Sequence, residues 1–197
     1  MARSDFFITG KPEMDGLLRT DPLALVIGML LDQQIPMEWA FAGPYKLQER
    51  LGHLDCRQIA AMDVEEFVAV FCEFPALHRF PGSMGKRTHE LCRHIADVYG
   101  GDAAKIWKGA RPAVEVFARV RALPGYGEEK AQILMAILAK RFGKKPVGWE
   151  EVAGRFADAT PRSVADIRDA VSLANVRAFK KEMKAAKKDK QGRPATV

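Results

Sequence analysis

Leu123-Pro124-Gly125-Tyr126-Gly127 is the stretch whose reading decides the fold. Before it runs an apolar-periodic segment, Val114 to Ala122. After it comes another, Glu128 to Phe142, with Ala131, Leu134, Met135 and Leu138 on one helical face. Two helical patterns joined by Pro-Gly-x-Gly predict a helix-hairpin-helix. Gly125 and Gly127 carry no Cβ, so the backbone between the helices is free to take unusual dihedrals and to approach a ligand closely. Their N–H groups stand at the start of a helix, where unpaired donors and the positive dipole end favour a phosphate. A plain corner in an α-helical protein would use the same residues.

Working outward, the remaining chain reads as helices and loops. Asp21-Pro22 predicts an N-cap and first-turn proline, followed by a helix from Leu23 to Asp32 that is apolar nearly all round and belongs in a core. Gln33-Gln34-Ile35-Pro36 interrupts it. A helix from Met37 to Leu51 closes at Gly52. Two short helices over Asp55 to Ala61 and Asp63 to Phe71 precede a loop at Phe74 to Gly82, and Ser83 to Tyr99 is helical again. After Gly143 come a loop, a short helix from Trp149 to Phe156, and a last helix from Asp169 into a lysine-rich end. Almost no alternating strand pattern occurs, so the expected class is all-α.

Composition narrows the function. The 197 residues are 48% hydrophobic and 28% charged, with a formal net charge of +6, an ordinary globular balance. Arg177 to Arg193 holds eight basic residues against Glu182 and Asp189, which is the whole excess; basic and acidic residues balance elsewhere. The high pI therefore describes a tail. The longest apolar run, Leu23 to Leu31, is too short to span a bilayer, and the first residues lack a signal peptide's apolar core. The expectation is a cytoplasmic, nucleoid-associated monomer with no membrane partner. Cys56, Cys72 and Cys92 are far apart, form no C-x-x-C, and do not supply the four thiolates of an iron–sulfur cluster. Cys72 and Cys92 are expected as buried thiols.

The hairpin resembles that of the HhH-GPD superfamily of base-excision DNA glycosylases, and the resemblance extends from about Asp21 to Phe156. Asp21 to Gln34 looks like the family's early helix and its glutamine-bearing loop. Ala136-Ile137-Leu138 through Phe142-Gly143 to Trp149-Glu150 looks like the passage to the catalytic acid. The chain is most like a small bacterial subgroup that lacks the iron–sulfur cluster. The implied fold has two helical subdomains within residues 1–179, one of about 21–135 and one of 1–20 plus 136–179, with 180–197 a basic, flexible tail adding non-specific attraction to DNA.

The resemblance also implies roles. The amides of Gly125 and Gly127 anchor double-stranded DNA, with Leu123, Tyr126 and Lys130 among the contacts. Carbonyls at Arg121, Leu123 and Tyr126 would hold a monovalent Na+ or K+ bridging to phosphate. Tyr126 departs from the family, which has an aliphatic residue there. Gln33 or Gln34 would fill the gap left by a flipped base, an amide being able to replace the hydrogen bonds of a broken base pair; surface helix capping is the alternative. Leu77 and His78 read as a core residue and a solvated loop residue, with a second wedge as the alternative. Lys86 and Arg87 are candidate backbone contacts.

The catalytic acid, an Asp in the family, falls at Glu150, with Glu151 beside it; both also suit the first turn of a helix. The Lys that strand-cutting members use as a Schiff-base nucleophile falls at Glu129. Lys130, one step on, lies about 100° round the helix and points elsewhere. The implied activity is a monofunctional glycosylase with no cofactor, hydrolysing the N-glycosidic bond of a damaged or mispaired base. The alternative is a DNA-binding protein that keeps the scaffold without the chemistry.

Overall fold

A computed structural model describes residues 6–109 and 111–194. Among them the protein is helical, with no strand beyond an isolated bridge between Lys188 and Pro194. The helices in chain order are α1 (Pro12–Thr20), α2 (Pro22–Leu31), α3 (Met37–Leu51), α4 (Cys56–Ala61), α5 (Val64–Cys72), α6 (Pro81–Tyr99), α7 (Ala113–Arg121), α8 (Glu128–Phe142), α9 (Trp149–Ala153) and α10 (Ala170–Ala185). No helix among the described residues is long and apolar enough to cross a membrane.

The core is built around α2. Asp21 caps it by accepting from the amides of Leu23 and Ala24, and every residue from Leu23 to Leu31 is buried, as an all-apolar helix requires. α1 and α3 pack on α2, and α4 and α5 pack on α6. The approach of α2 to α3 is close: a Cβ on Gly28 would stand 2.9 Å from Phe41, and one on Gly43 would stand 2.5 Å from Leu31. α8 buries Ala131 and then every residue from Ile133 to Ala139, packing against α7 and α9. The N-terminal arm is tied down by Asp15, whose buried carboxylate accepts from the amides of Ile8, Thr9 and Gly10.

One apolar cluster runs continuously from Phe6 to Val176. The expected boundary near residue 135 falls inside α8, and the one at 179 falls inside α10, which continues to Ala185. One local expectation is corrected and its companion, a buried Cys92, holds. Cys72 is exposed because it is the last residue of α5, beyond that helix's buried Phe67 and Phe71. The buried thiols are Cys56 and Cys92; a hydrogen bond with Cys56 and burial together hold Cys92 well above its ordinary pKa.

Candidate nucleic-acid interface

The hairpin forms by a turn that its sequence dictates. Tyr126 N donates to Leu123 O at 3.0 Å, closing a four-residue turn with Pro124 second and Gly125 third. Gly125 has φ +80, the left-handed dihedral that the third position of a type II turn requires. A Cβ there would also collide with Leu30 Cδ1, so the turn sits directly on the end of α2. Tyr126 fixes it. Its ring is buried, 7% exposed, its hydroxyl donates to Val26 O at 2.6 Å, and burial pushes its pKa well above the ordinary value. The aromatic ring is thus a strut between the hairpin and α2.

The backbone of the turn faces outward. Gly125 and Gly127 are exposed, and among the described residues neither amide donates a hydrogen bond. Leu123 and Tyr126 turn their side chains inward and have only backbone to offer. The carbonyls of Arg121 and Tyr126 accept nothing among the described residues, and Leu123 O has a single donor. Unpaired backbone oxygens of this kind are the donor set a hard monovalent cation takes, so these residues fit the Na+ or K+ implied by the resemblance.

Opposite the hairpin lies the C-terminus of α2, where every free carbonyl of the last turn has found a donor. Asp32 N donates to Gly28 O at 3.1 Å. Lys130 Nζ donates to Met29 O and Leu30 O, at 2.7 and 2.6 Å. Gln33 Nε2 donates to Leu30 O at 3.0 Å. His78 Nε2 lies 3.2 Å from Leu31 O and 3.1 Å from Gln33 O, while Phe80 N donates to His78 Nδ1 at 3.0 Å. Both carbonyls accept, so the ring carries its proton on Nε2 and is neutral; burial holds its pKa below the ordinary value.

Several expectations change here. His78 is a buried clasp on the glutamine loop, 1% exposed, not a solvated residue; Leu77 is core as expected. Lys130 is not an outward contact: its ammonium is drawn inward by the negative end of α2, and burial lowers its pKa to about 8. Gln33 is held by Leu30 O, by Met84 Sδ at 3.3 Å and by Arg87 Nη1 at 3.3 Å. Gln34 is the free one of the pair. It is exposed, its side-chain amide makes no hydrogen bond among the described residues, and its φ of +57 is a left-handed conformation that a non-glycine residue rarely adopts. Arg87 belongs to this face through Gln33, whereas Lys86 is spent on Glu65 at 2.9 Å.

Four charged groups complete the face. Asp32 is half-buried and acts on both Lys130 and Lys180, yet its carboxylate makes no hydrogen bond or ion pair among the described residues. Glu129 pairs with Lys190 at 3.1 Å. Lys180, half-buried, places Nζ 3.3 Å from Met37 Sδ, and burial lowers its pKa. Sequence reading missed Asp32, Lys180 and Lys190; the only signal for Asp32 was its place immediately before Gln33.

Glu150 and Glu151 are elsewhere. Both are exposed, with no side-chain hydrogen bond or ion pair among the described residues. They are first-turn acids of α9, favoured there by the helix dipole. Neither shares a hydrogen bond or ion pair with the residues of the hairpin face. Neither the hairpin residues nor these two glutamates line either of two sizeable cavities among the described residues. One of about 620 Å³ is bounded by Trp107, Val116, Leu138 and Val147, and one of about 470 Å³ by Phe6, Asp15, Arg19 and Arg168.

Comparison with protein families, with curated proteins and with solved structures finds no match to this chain. Its chemistry is therefore read from the residues themselves.

Proposed function

We propose that this chain is a DNA-binding protein built on a scaffold like that of the HhH-GPD glycosylases, gripping duplex DNA by the 123–127 turn and occupying the space of an extruded base with Gln34. The observation that carries this reading is the pair of exposed amides, Gly125 and Gly127, that donate to nothing among the described residues at the mouth of a helix of 15 residues. Such contacts position the protein on a backbone without reading sequence. Gln34 stands on the loop that leaves the end of α2, next to Gln33, whose side chain and carbonyl are both bonded.

Gly127 gives a clean test. Its φ of −89 is near the value proline imposes, and a Cβ there meets nothing within 4 Å. Gly127→Pro removes one amide hydrogen, while Gly127→Ala keeps it. Binding to a duplex with an abasic-site analogue, measured by fluorescence anisotropy, should weaken at least tenfold in Gly127→Pro and less than threefold in Gly127→Ala, since a charge-assisted hydrogen bond contributes about 1.5–3 kcal/mol. Equal binding by both variants, with thermal midpoints matching wild type, would discard the amide grip.

A second reading, the base-releasing enzyme, is favoured by Asp32. A half-buried carboxylate without a bonded partner among the described residues, next to Gln33-Gln34, is suited to stabilising the cationic sugar as the N-glycosidic bond breaks and water adds to C1′. In this reading Asp32 replaces Glu150 as the acid. A panel of duplexes with alkylated, oxidised, deaminated and mismatched bases tests it: base release abolished in Asp32→Asn and kept in Glu150→Gln supports the enzyme. Tight binding to abasic DNA with no release from any duplex supports the binder.

A further inference from the structure

The C-terminal residues are folded onto the hairpin face, and the reading above makes no use of them. Beyond α10 the chain turns at Lys187, φ +53, and closes a hook. Asp189 N donates to Arg193 O at 2.8 Å, and the Asp189 carboxylate accepts from the amides of Gln191 and Arg193 and pairs with Arg193 Nε at 2.7 Å. The hook is fastened to the body on three sides. Gln191, 8% exposed, donates through Nε2 to Gln132 Oε1 at 3.2 Å; Arg155 donates to Gln191 O; Arg162 Nη1 donates to Lys190 O at 3.3 Å.

This fastening has an electrostatic result. Glu128 and Glu129 occupy the first turn of α8, where alone they would repel a phosphate approaching Gly125 and Gly127. Lys190 neutralises Glu129 at 3.1 Å and retains two of its three N–H donors. Arg193 acts on both glutamates. Lys180 and Lys190 are half-buried and placed, whereas Lys181, Lys184, Lys187 and Lys188 are exposed. A merely solubilising tail would leave all six in water.

We infer that residues 180–194 form a fixed wall of the interface, on which Lys180 and Lys190, with Arg87 across the face, seat a backbone phosphate of a nucleic-acid strand. This deepens the DNA-binding reading and rests on it. The recognised chemistry is a phosphodiester, and the wall works by placed charge rather than by the overall charge of the tail.

The test compares charge-matched variants of the full chain. Affinity for the abasic-analogue duplex is measured against NaCl concentration for wild type, for Lys180→Gln/Lys190→Gln and for Lys187→Gln/Lys188→Gln. The first pair should weaken binding at least tenfold and flatten the slope of log K against log salt by about 0.9 for each phosphate that is no longer neutralised; the second should weaken it less than threefold. Equal weakening would overturn the wall. Adding Glu129→Gln to Lys190→Gln should not restore binding; full recovery would mean that Lys190 only neutralises Glu129, and would also overturn it. Thermal midpoints of the Gln variants within about one degree of wild type, the spread expected of surface substitutions, exclude a folding defect as the cause. A wild type that binds no duplex at any salt would instead remove the DNA reading itself.

Discussion

The two ends of α8 differ in how they treat charge. The helix is 15 residues long, about 22 Å at roughly 1.5 Å per residue. At its start, charges are taken out of water and fixed: Lys130 under α2, Glu129 against Lys190, with the Tyr126 hydroxyl against Val26 beside them. At its end Lys140 is paired with Asp166 at 2.6 Å, whereas Lys144, Lys145, Glu150 and Glu151, which follow the helix, are exposed, with no ion pair among the described residues. Both ends carry a left-handed glycine, lysines nearby and two adjacent glutamates, so the residue types alone do not separate them. What separates them is the cost of burial. A protein takes up charge from water only where something compensates: Lys190 and the carbonyls of α2 do so around the hairpin and Asp166 does so for Lys140, whereas the four residues beyond Gly143 meet no such partner among the described residues.

The largest effect expected from this contrast is on stability. Gly125→Ala must adopt φ +80 and drives a methyl into Leu30; a left-handed non-glycine costs about 1–2 kcal/mol and overpacking about 1–3 more. Gly143→Ala faces φ +64 but no atom within 4 Å, so only the first cost applies. Urea denaturation should show Gly125→Ala less stable by about 3 kcal/mol and Gly143→Ala by about 1 kcal/mol. Equal destabilisation would place the turn off α2.

The same contrast explains how much of the molecule was legible in advance. The helices were readable because Asp21, Asp55, Asp63 and Asp169 mark starts that the structure uses as caps, and because Gly52, Gly100 and Gly143 mark ends in left-handed conformations. The hairpin was readable for the same local reason. What holds the end of α2 was not, although Gln33 to Pro36 marked where the helix stops. It stops at Asp32 without a glycine after it, and its carbonyls are satisfied by His78 and Lys130, donors 47 and 101 residues away along the chain. The hook was equally hidden, because a run of lysines has the same composition whether it is solvated or fastened by Gln132, Arg155 and Arg162. Long-range satisfaction of buried polar groups leaves no periodic trace.

A middle-sized effect concerns pH. Lys130→Met leaves Met29 O without a donor and Leu30 O with Gln33 alone, and should cost about 2 kcal/mol at pH 7, whereas Lys144→Met should stay within about 0.5 kcal/mol. Lys130 titrates at about 8 in the folded protein against 10.5 ordinarily. Between those values the unfolded chain binds more protons than the folded one, so this group's contribution to stability rises with pH. Below about 8 both states are protonated and the burial penalty on the charge is constant. Wild type should therefore gain stability relative to Lys130→Met as pH rises from about 8 towards 10.5, measured by urea denaturation at several pH values. A flat difference would mean that Lys130 stays in water.

The smallest effect separates the two glutamate pairs by DNA affinity. Glu129→Gln removes a negative charge beside the hairpin and releases Lys190, so binding to the abasic-analogue duplex should tighten about threefold at low salt, with the gain fading as salt screens it. Glu150→Gln, solvated on α9, should change affinity by less than that at any salt, because the interaction of an exposed charge with a distant phosphate is largely screened beyond about 10 Å at roughly 0.1 M salt. Tightening by Glu150→Gln equal to that of Glu129→Gln would show that the DNA lies across both ends of α8, and the distinction between a compensated end and a solvated end would then carry no functional meaning.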